Sequence, residues 1–100
     1  MTTTIQELDN SLVVTLSGEL DTVAAGEAEK TLQPLFISDK PEIVLDCTDL
    51  AYIASSGLRL FLALLKAVNA RGGKLIIRNI NNDIASVFKA TGFASIFTIE

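Results

Sequence analysis

Apolar residues in this chain fall into short continuous runs and into stripes spaced by three or four residues. The runs at Thr4–Leu8 and Leu12–Leu16, separated by the turn-forming residues 9–11, predict an N-terminal β-hairpin. Glu42–Cys47 and Lys74–Arg78 each have a continuous apolar centre. That pattern is typical of strands that are central in a sheet or covered on both faces.

The stripes predict three helices between and after these strands. Asp21 and Thr22 form a good capping pair, so the first helix is expected to start at about Val23. Its apolar positions are Ala25, Ala28, Leu32, Leu35 and Phe36. Because Pro34 lacks a backbone N–H, we expect this helix to kink or to end early.

The second helix is predicted at Ser55–Asn69, after a loop at Thr48–Ala54, and Gly72 and Gly73 are expected to end it. The third helix is predicted to start with capping groups at 81–83 and to stop at Gly92. The pattern leaves two possibilities for Ile96–Ile99, a short closing strand or a last helical turn.

This order of elements predicts one small α/β domain over residues 1–100. Because crossovers between parallel strands are right-handed, the sheet is expected to be mixed, with a parallel centre and helices packed against it. A fold of this class does not by itself indicate a function.

Composition removes several classes of function. The 100 residues include no histidine and one cysteine, Cys47, so histidine-dependent catalysis, imidazole or thiolate metal cages and internal disulfides are all excluded. The net charge of -4 has the wrong sign for a nucleic-acid binder. The N-terminal residues do not resemble a secretory signal, and the apolar stretch Leu60–Leu65 is too short to insert into a membrane, so we expect a cytoplasmic protein.

The segment with the most chemical content is Ser55-Ser56-Gly57, which places two hydroxyls at a predicted helix N-terminus. Either serine could be an ordinary N-cap, which is the common role of serine at such a position. The functional alternatives are a catalytic serine, a phosphate-binding cradle and a phosphorylation site. Catalysis would require a Lys or carboxylate base, and the Gly-rich pattern of a phosphate loop is absent.

At these residues the chain resembles the STAS domains of bacterial anti-sigma factor antagonists. The resemblance extends over essentially the whole chain and rests on four segments in order. These segments are residues 18–21 (Gly-Glu-Leu-Asp), 43–46 (Ile-Val-Leu-Asp), 49–58 with Ile-Ala-Ser-Ser-Gly-Leu at its end, and 71–79, which starts with Arg-Gly-Gly-Lys-Leu.

The resemblance implies a regulator that acts by binding and is not an enzyme. The first serine of the signature, Ser55, would be phosphorylated by a partner that is both a serine kinase and an anti-sigma factor, and a phosphatase would reverse the modification. The unphosphorylated form would bind the partner and release a sigma factor. Asp21 would lie near the acceptor, and the family's usual Asp before the acceptor is Ala54 here.

We expect the docking surface to surround Ser55. Its predicted members are Asp21, Tyr52, Ala54, Ser56, Gly57 and Leu58. No cofactor or metal is expected, because the aspartates occur singly, and Cys47 is expected to be an inert core residue. Two alternatives remain: an unphosphorylated accessory subunit that docks on the ATPase of a lipid transporter, and a small nucleotide or phosphate sensor.

Overall fold

A computed structural model describes residues 1–100. The chain starts with the predicted hairpin, in which strands β1 (Thr2–Glu7) and β2 (Ser11–Leu20) pair antiparallel. The backbone N–H of Leu8 donates to the carbonyl of Ser11 at 2.8 Å and closes the turn.

Helices and strands then alternate to the end of the chain. In order they are α1 (Thr22–Thr31), α2 (Gln33–Ile37), β3 (Glu42–Ile53), α3 (Ser55–Ala70), β4 (Lys74–Arg78), α4 (Asn82–Thr91), a 3₁₀ turn (Phe93–Ser95) and β5 (Thr98–Ile99). None of the helices combines the length and the apolar character that crossing a lipid bilayer requires.

The five strands form one mixed sheet in the order β1-β2-β3-β4-β5, with every pairing after the first parallel. Each crossover moves one strand further in the same direction, so right-handed connections place all the helices on one face. The core of 24 buried residues accordingly joins the helices to one face of the sheet. Ile43 and Leu45 of β3 belong to this core, whereas Val44, between them, does not. The predicted α/β domain with a mixed sheet is confirmed.

The predicted loop at Thr48–Ala54 is wrong, because β3 continues to Ile53. The long β2 provides the partner for this extension, and the pairing ends with Leu20 opposite Ile53. The register shifts twice in this pairing, because β3 has one extra residue relative to β2 between Asp46 and Asp49 and another between Leu50 and Tyr52. Leu50 and Ile53 are buried.

The predicted break near Pro34 is confirmed. α1 ends at Thr31, and the short α2 starts at Gln33 with Pro34 in its first turn, where a missing N–H costs least. At the other end of the chain, Gly92 adopts a left-handed φ of 81° and ends α4, and β5 pairs with β4 as a closing strand.

Candidate functional site

Two helix N-termini meet at the end of the long β2–β3 pairing. Leu20 is the last residue of β2 and pairs with Ile53, the last residue of β3. The backbone N–H of Ala54 then donates to the carbonyl of Leu20 at 2.9 Å. α1 and α3 therefore begin side by side, and their positive dipole ends lie at the same edge of the sheet.

Asp21 caps the first of these helices. Its carboxylate accepts a hydrogen bond from the backbone N–H of Ala24 at 2.8 Å, as the sequence predicts. Asp21 is exposed, so the bond fixes a negative charge at the surface beside the start of α3.

The second helix lacks a side-chain cap. Ala54 occupies the N-cap position with extended backbone angles, and no side chain accepts from the first N–H groups of α3. Ser55 is the first helical residue, so the interpretation of Ser55 or Ser56 as an N-cap is wrong. The hydroxyl of Ser55 has no capping role at this helix end.

The two serines differ in accessibility. Ser55 is exposed, whereas the hydroxyl oxygen of Ser56 is buried and has no hydrogen-bond partner. Ser56 faces the groove between α1 and α3, whose other walls include Gly26 and Arg59. An enzyme that modifies a serine at this helix end therefore has direct access to Ser55 alone.

Gly57 and Leu58 lie beneath the site and not on its rim. Leu58 is 6% exposed, and Gly57 is also buried. A Cβ at Gly57 would lie 2.9 Å from side-chain atoms of Leu20 and Ile53. The close packing of Gly57 and the burial of Leu58 hold the first turn of α3 against the sheet. Contact of these two residues with a partner stays a prediction.

Two exposed apolar side chains lie on the elements that meet at the start of α3. Tyr52, on the extension of β3, is 50% exposed, and Val23, in the first turn of α1, is 73% exposed. Tyr52 also borders a shallow groove of about 100 Å³ formed with Ile84 and Val87 of α4. Aromatic residues at the edge of such grooves are common anchors of protein interfaces.

Asn81 has two roles, of which the sequence predicts only the first, that of a helix cap. Its side-chain oxygen caps α4 by accepting from Ile84 N–H at 2.8 Å. Its amide nitrogen donates to the carbonyls of Leu50 and Ala51 at 3.2 and 3.4 Å. Asn81 thereby ties α4 to the extension of β3 that carries Tyr52.

A polar cluster lies lower on β3. Asp46 accepts from the Thr48 hydroxyl at 2.6 Å and from the Thr48 N–H at 3.1 Å, and Asn79 donates to the same hydroxyl at 2.9 Å. Chiefly through the bond from the Thr48 side chain, these contacts lower the pKa of Asp46. Next to it, burial raises the pKa of the Cys47 thiol to about 12, which agrees with an inert core cysteine.

The arrangement is suited to accepting a phosphate. Ser55 presents an exposed hydroxyl where two helix dipoles are positive and where the N–H groups of α3 lack a side-chain acceptor. A serine nucleophile needs an adjacent base, and the chain contains no histidine to supply one. Ser55 is thus an accessible hydroxyl at a helix start whose N–H groups can bind an oxygen anion.

Comparison with known proteins places this chain in a family. Residues 2–100 match the STAS domain. An anti-sigma-B factor antagonist of Staphylococcus aureus is 31% identical over 92 residues, which are 92% of this chain and 85% of that protein. An anti-sigma factor antagonist of Mycobacterium paratuberculosis has a solved structure with a TM-score of 0.87, at 23% identity, covering 98% of this chain and 83% of that one.

SpoIIAA, an anti-sigma factor antagonist, shares the fold in both of its forms. The unphosphorylated form matches with a TM-score of 0.77 at 21% identity, covering 99% of this chain and 87% of that one. The phosphorylated form from Bacillus also has a TM-score of 0.77, at 22% identity, covering 99% of this chain and 91% of that one.

A five-stranded mixed sheet with helices on one face defines this chain as a small α/β domain. Within this class the chain belongs to the STAS domain family, because the match includes nearly every residue. The relative from Staphylococcus aureus at 31% identity is named an anti-sigma-B factor antagonist.

Proposed function

We propose that this protein is an anti-sigma factor antagonist that is switched by phosphorylation of Ser55. The observation that carries the proposal is the contrast between the exposed Ser55 and the buried hydroxyl of Ser56. In the unphosphorylated form the surface around Ser55 binds an anti-sigma factor, which then releases its sigma factor. The partner is also the serine kinase, a phosphatase restores the serine, and the exchange takes place in the cytoplasm.

The switch works through charge. A phosphoserine adds about 1.5 to 2 negative charges at neutral pH. The start of α3 stabilises that charge within the domain, because its N–H groups lack another acceptor. In the complex, the phosphate would be buried in the interface beside the carboxylate of Asp21, which is held in place by its bond from Ala24 N–H. Loss of hydration and repulsion from this carboxylate then weaken the complex.

Tyr52 and Val23 supply the apolar part of the proposed interface. Both side chains are exposed, and they lie on the elements that meet at the start of α3. Ala54, which is half-buried at the N-cap, contributes no charge. Asp21 directly follows Leu20, whose carbonyl accepts from the Ala54 N–H, so Asp21 places an acidic group beside the start of α3. The partner is therefore expected to present basic and apolar groups.

The accessory subunit of a lipid transporter is the weaker reading, because the relatives at 31% identity are named anti-sigma factor antagonists. A phosphate or nucleotide sensor is also less well supported. The groove between α1 and α3 is open to solvent at Gly26, which lines it. No glycine-rich loop borders the groove, so no backbone segment encloses the phosphates of a nucleotide.

Affinity capture from the source cell with wild type, Ser55→Ala and Ser55→Asp tests the proposal. Wild type and Ser55→Ala should retain the same ATP-dependent serine kinase, whereas Ser55→Asp should lose it. Incubation of the captured complex with ATP should add one phosphate to wild type at Ser55, as located by tandem mass spectrometry. Ser56→Ala is the matched control and should be phosphorylated like wild type.

Two results would contradict the proposal. Phosphate located on Ser56, or no phosphate with a bound and active kinase, removes Ser55 as the acceptor. Equal retention of one partner by Ser55→Ala and Ser55→Asp favours constitutive docking without a covalent switch.

A further inference from the structure

The face of the sheet opposite the helices has its own row of apolar side chains. The register places Val13, Val44 and Ile76 side by side on β2, β3 and β4. Val44 and Ile76 are 2% and 4% exposed, yet both lie outside the core that the helices cover. Neighbouring side chains of the same face therefore enclose them, and no helix does.

An open face is unusual for a sheet of this kind. Three of its four strand pairings are parallel, and parallel sheets occur almost only where both faces are covered. The continuous apolar runs at 43–45 and 75–77 are also typical of strands covered on both sides. The helices cover one face, whereas on the other face only neighbouring side chains of the sheet enclose Val44 and Ile76, and no second layer of the chain lies over them.

The charges on the open face are arranged by strand. Glu42 pairs with Lys74 on one side of the apolar row, and Asp46 pairs with Arg78 on the other. On this face β3 thus carries two acidic residues and β4 carries two basic residues. The surface is therefore divided into an acidic strip and a basic strip that run parallel to the strands.

From this pattern we propose that the open face binds a second copy of this chain. A two-fold axis parallel to the strands and between β3 and β4 lays β3 of each copy over β4 of the other. Glu42 then faces Lys74 of the second copy, Asp46 faces Arg78, and Val44 faces Ile76. Each contact occurs twice, as an isologous interface requires, and the two sheets stack in the aligned manner.

The charges exclude the other simple arrangement. A two-fold axis across the strands places Glu42 over Asp46 and Lys74 over Arg78, so like charges meet at every position. The helix layer and Ser55 remain outside the proposed interface. The dimer is thus independent of the proposed switch, and either one can fail without the other.

Analytical ultracentrifugation of the full chain tests the dimer. Wild type should associate reversibly between about 1 µM and 1 mM, and Glu42→Lys and Lys74→Glu should each weaken association by about tenfold or more. An equimolar mixture of these two variants should regain association, because each variant then faces its opposite charge. Lys66→Glu, on the exposed surface of α3, makes the same charge change as Lys74→Glu and should leave association unchanged.

A wild type that stays monomeric at about 1 mM overturns the proposal. Association that persists unchanged in both single variants places the contact on another surface, and a mixture that fails to associate shows that the charges do not face each other. If a single variant fails to fold, as judged by circular dichroism, the double variant Glu42→Lys/Lys74→Glu replaces it. It keeps the cross-strand pair, so it should dimerise with itself but form no mixed dimer with wild type, because like charges would then meet at residues 42 and 74. Mixed dimers between the double variant and wild type overturn the proposal.

Discussion

Leu20 and Gly57 are packed so closely that a single added methyl group would reach 2.9 Å from the Leu20 side chain. Gly57 belongs to the first turn of α3, and Leu20 ends β2. The contact sets how near the helix carrying Ser55 approaches the sheet. The position of the acceptor thus depends on a residue without a side chain.

Gly57→Ala should destabilise the fold by about 1 to 3 kcal/mol, because the new Cβ overpacks the contact with Leu20 and Ile53. Gly26→Ala is the matched control, since Gly26 lies in α1 with open space around its Cβ position. That change should stabilise the protein by about 0.5 to 1 kcal/mol through helix propensity. Urea denaturation measures both, and equal effects of the two changes would contradict the tight contact.

Ala54→Asp should raise stability by about 0.5 to 2 kcal/mol. Ala54 already has the extended backbone of an N-cap, so a carboxylate there can accept from the unpaired N–H groups at the start of α3. Thermal and urea denaturation measure the gain. Ala51→Asp, at an exposed position of the β3 extension, adds the same charge without occupying an N-cap position. A gain as large in that variant would exclude capping as the cause.

Ser55→Ala should change the free energy of unfolding by less than about 0.5 kcal/mol, because the hydroxyl of Ser55 has no capping role. Asp21→Ala removes the bond to Ala24 and should cost about 1 kcal/mol. The comparison separates a residue kept for function from a residue that also supports the fold. If Ser55→Ala lowers the free energy of unfolding as much as Asp21→Ala does, Ser55 has a structural role.

Cys47 should be unreactive in the folded protein and reactive after unfolding. Burial raises the pKa of the Cys47 thiol to about 12 from an ordinary 9.0. Between these two pH values the thiol stays protonated in the folded state and ionises in the unfolded chain. The stability due to this thiol is complete below pH 9 and is lost as the pH rises from there toward 12. Reaction with a thiol-specific reagent at pH 8, with and without urea, measures the protection. Denaturation at rising pH, compared with Cys47→Ala, measures the alkaline loss, and a rapid reaction in the native protein would contradict burial.

The sequence was sufficient to predict most of the fold, because its apolar runs and stripes have clear periods. β4 and the start of α3 lie where the pattern places them. The β3 extension at 48–53 was missed because Thr48 and Asp49 interrupt the apolar run of the strand and because its stability comes from pairing with β2, more than thirty residues earlier. Local propensity contains no information about such a distant partner.

The site could be located from the sequence, but the role of each residue could not. Whether a serine or Ala54 is the N-cap depends on a shift of one residue in the start of the helix, which backbone angles decide and composition does not. Leu58 reads equally well as rim or core, and only the packing of α3 on the sheet shows that it is buried. Asn81 acts across thirty residues, so its second role has no local signal.

Ser55 is the first residue of a helical turn whose position is fixed by the close packing of Gly57 against Leu20 and Ile53. Under the proposed function, a phosphate there changes the electrostatic potential of the surface and leaves the backbone beneath it in place. A kinase and a phosphatase then meet the same backbone, and the two states differ mainly in surface charge, whose effect is screened by dissolved ions. The difference in partner affinity between the two states therefore depends on ionic strength as well as on the protein, because an exposed charge acts over about one Debye length.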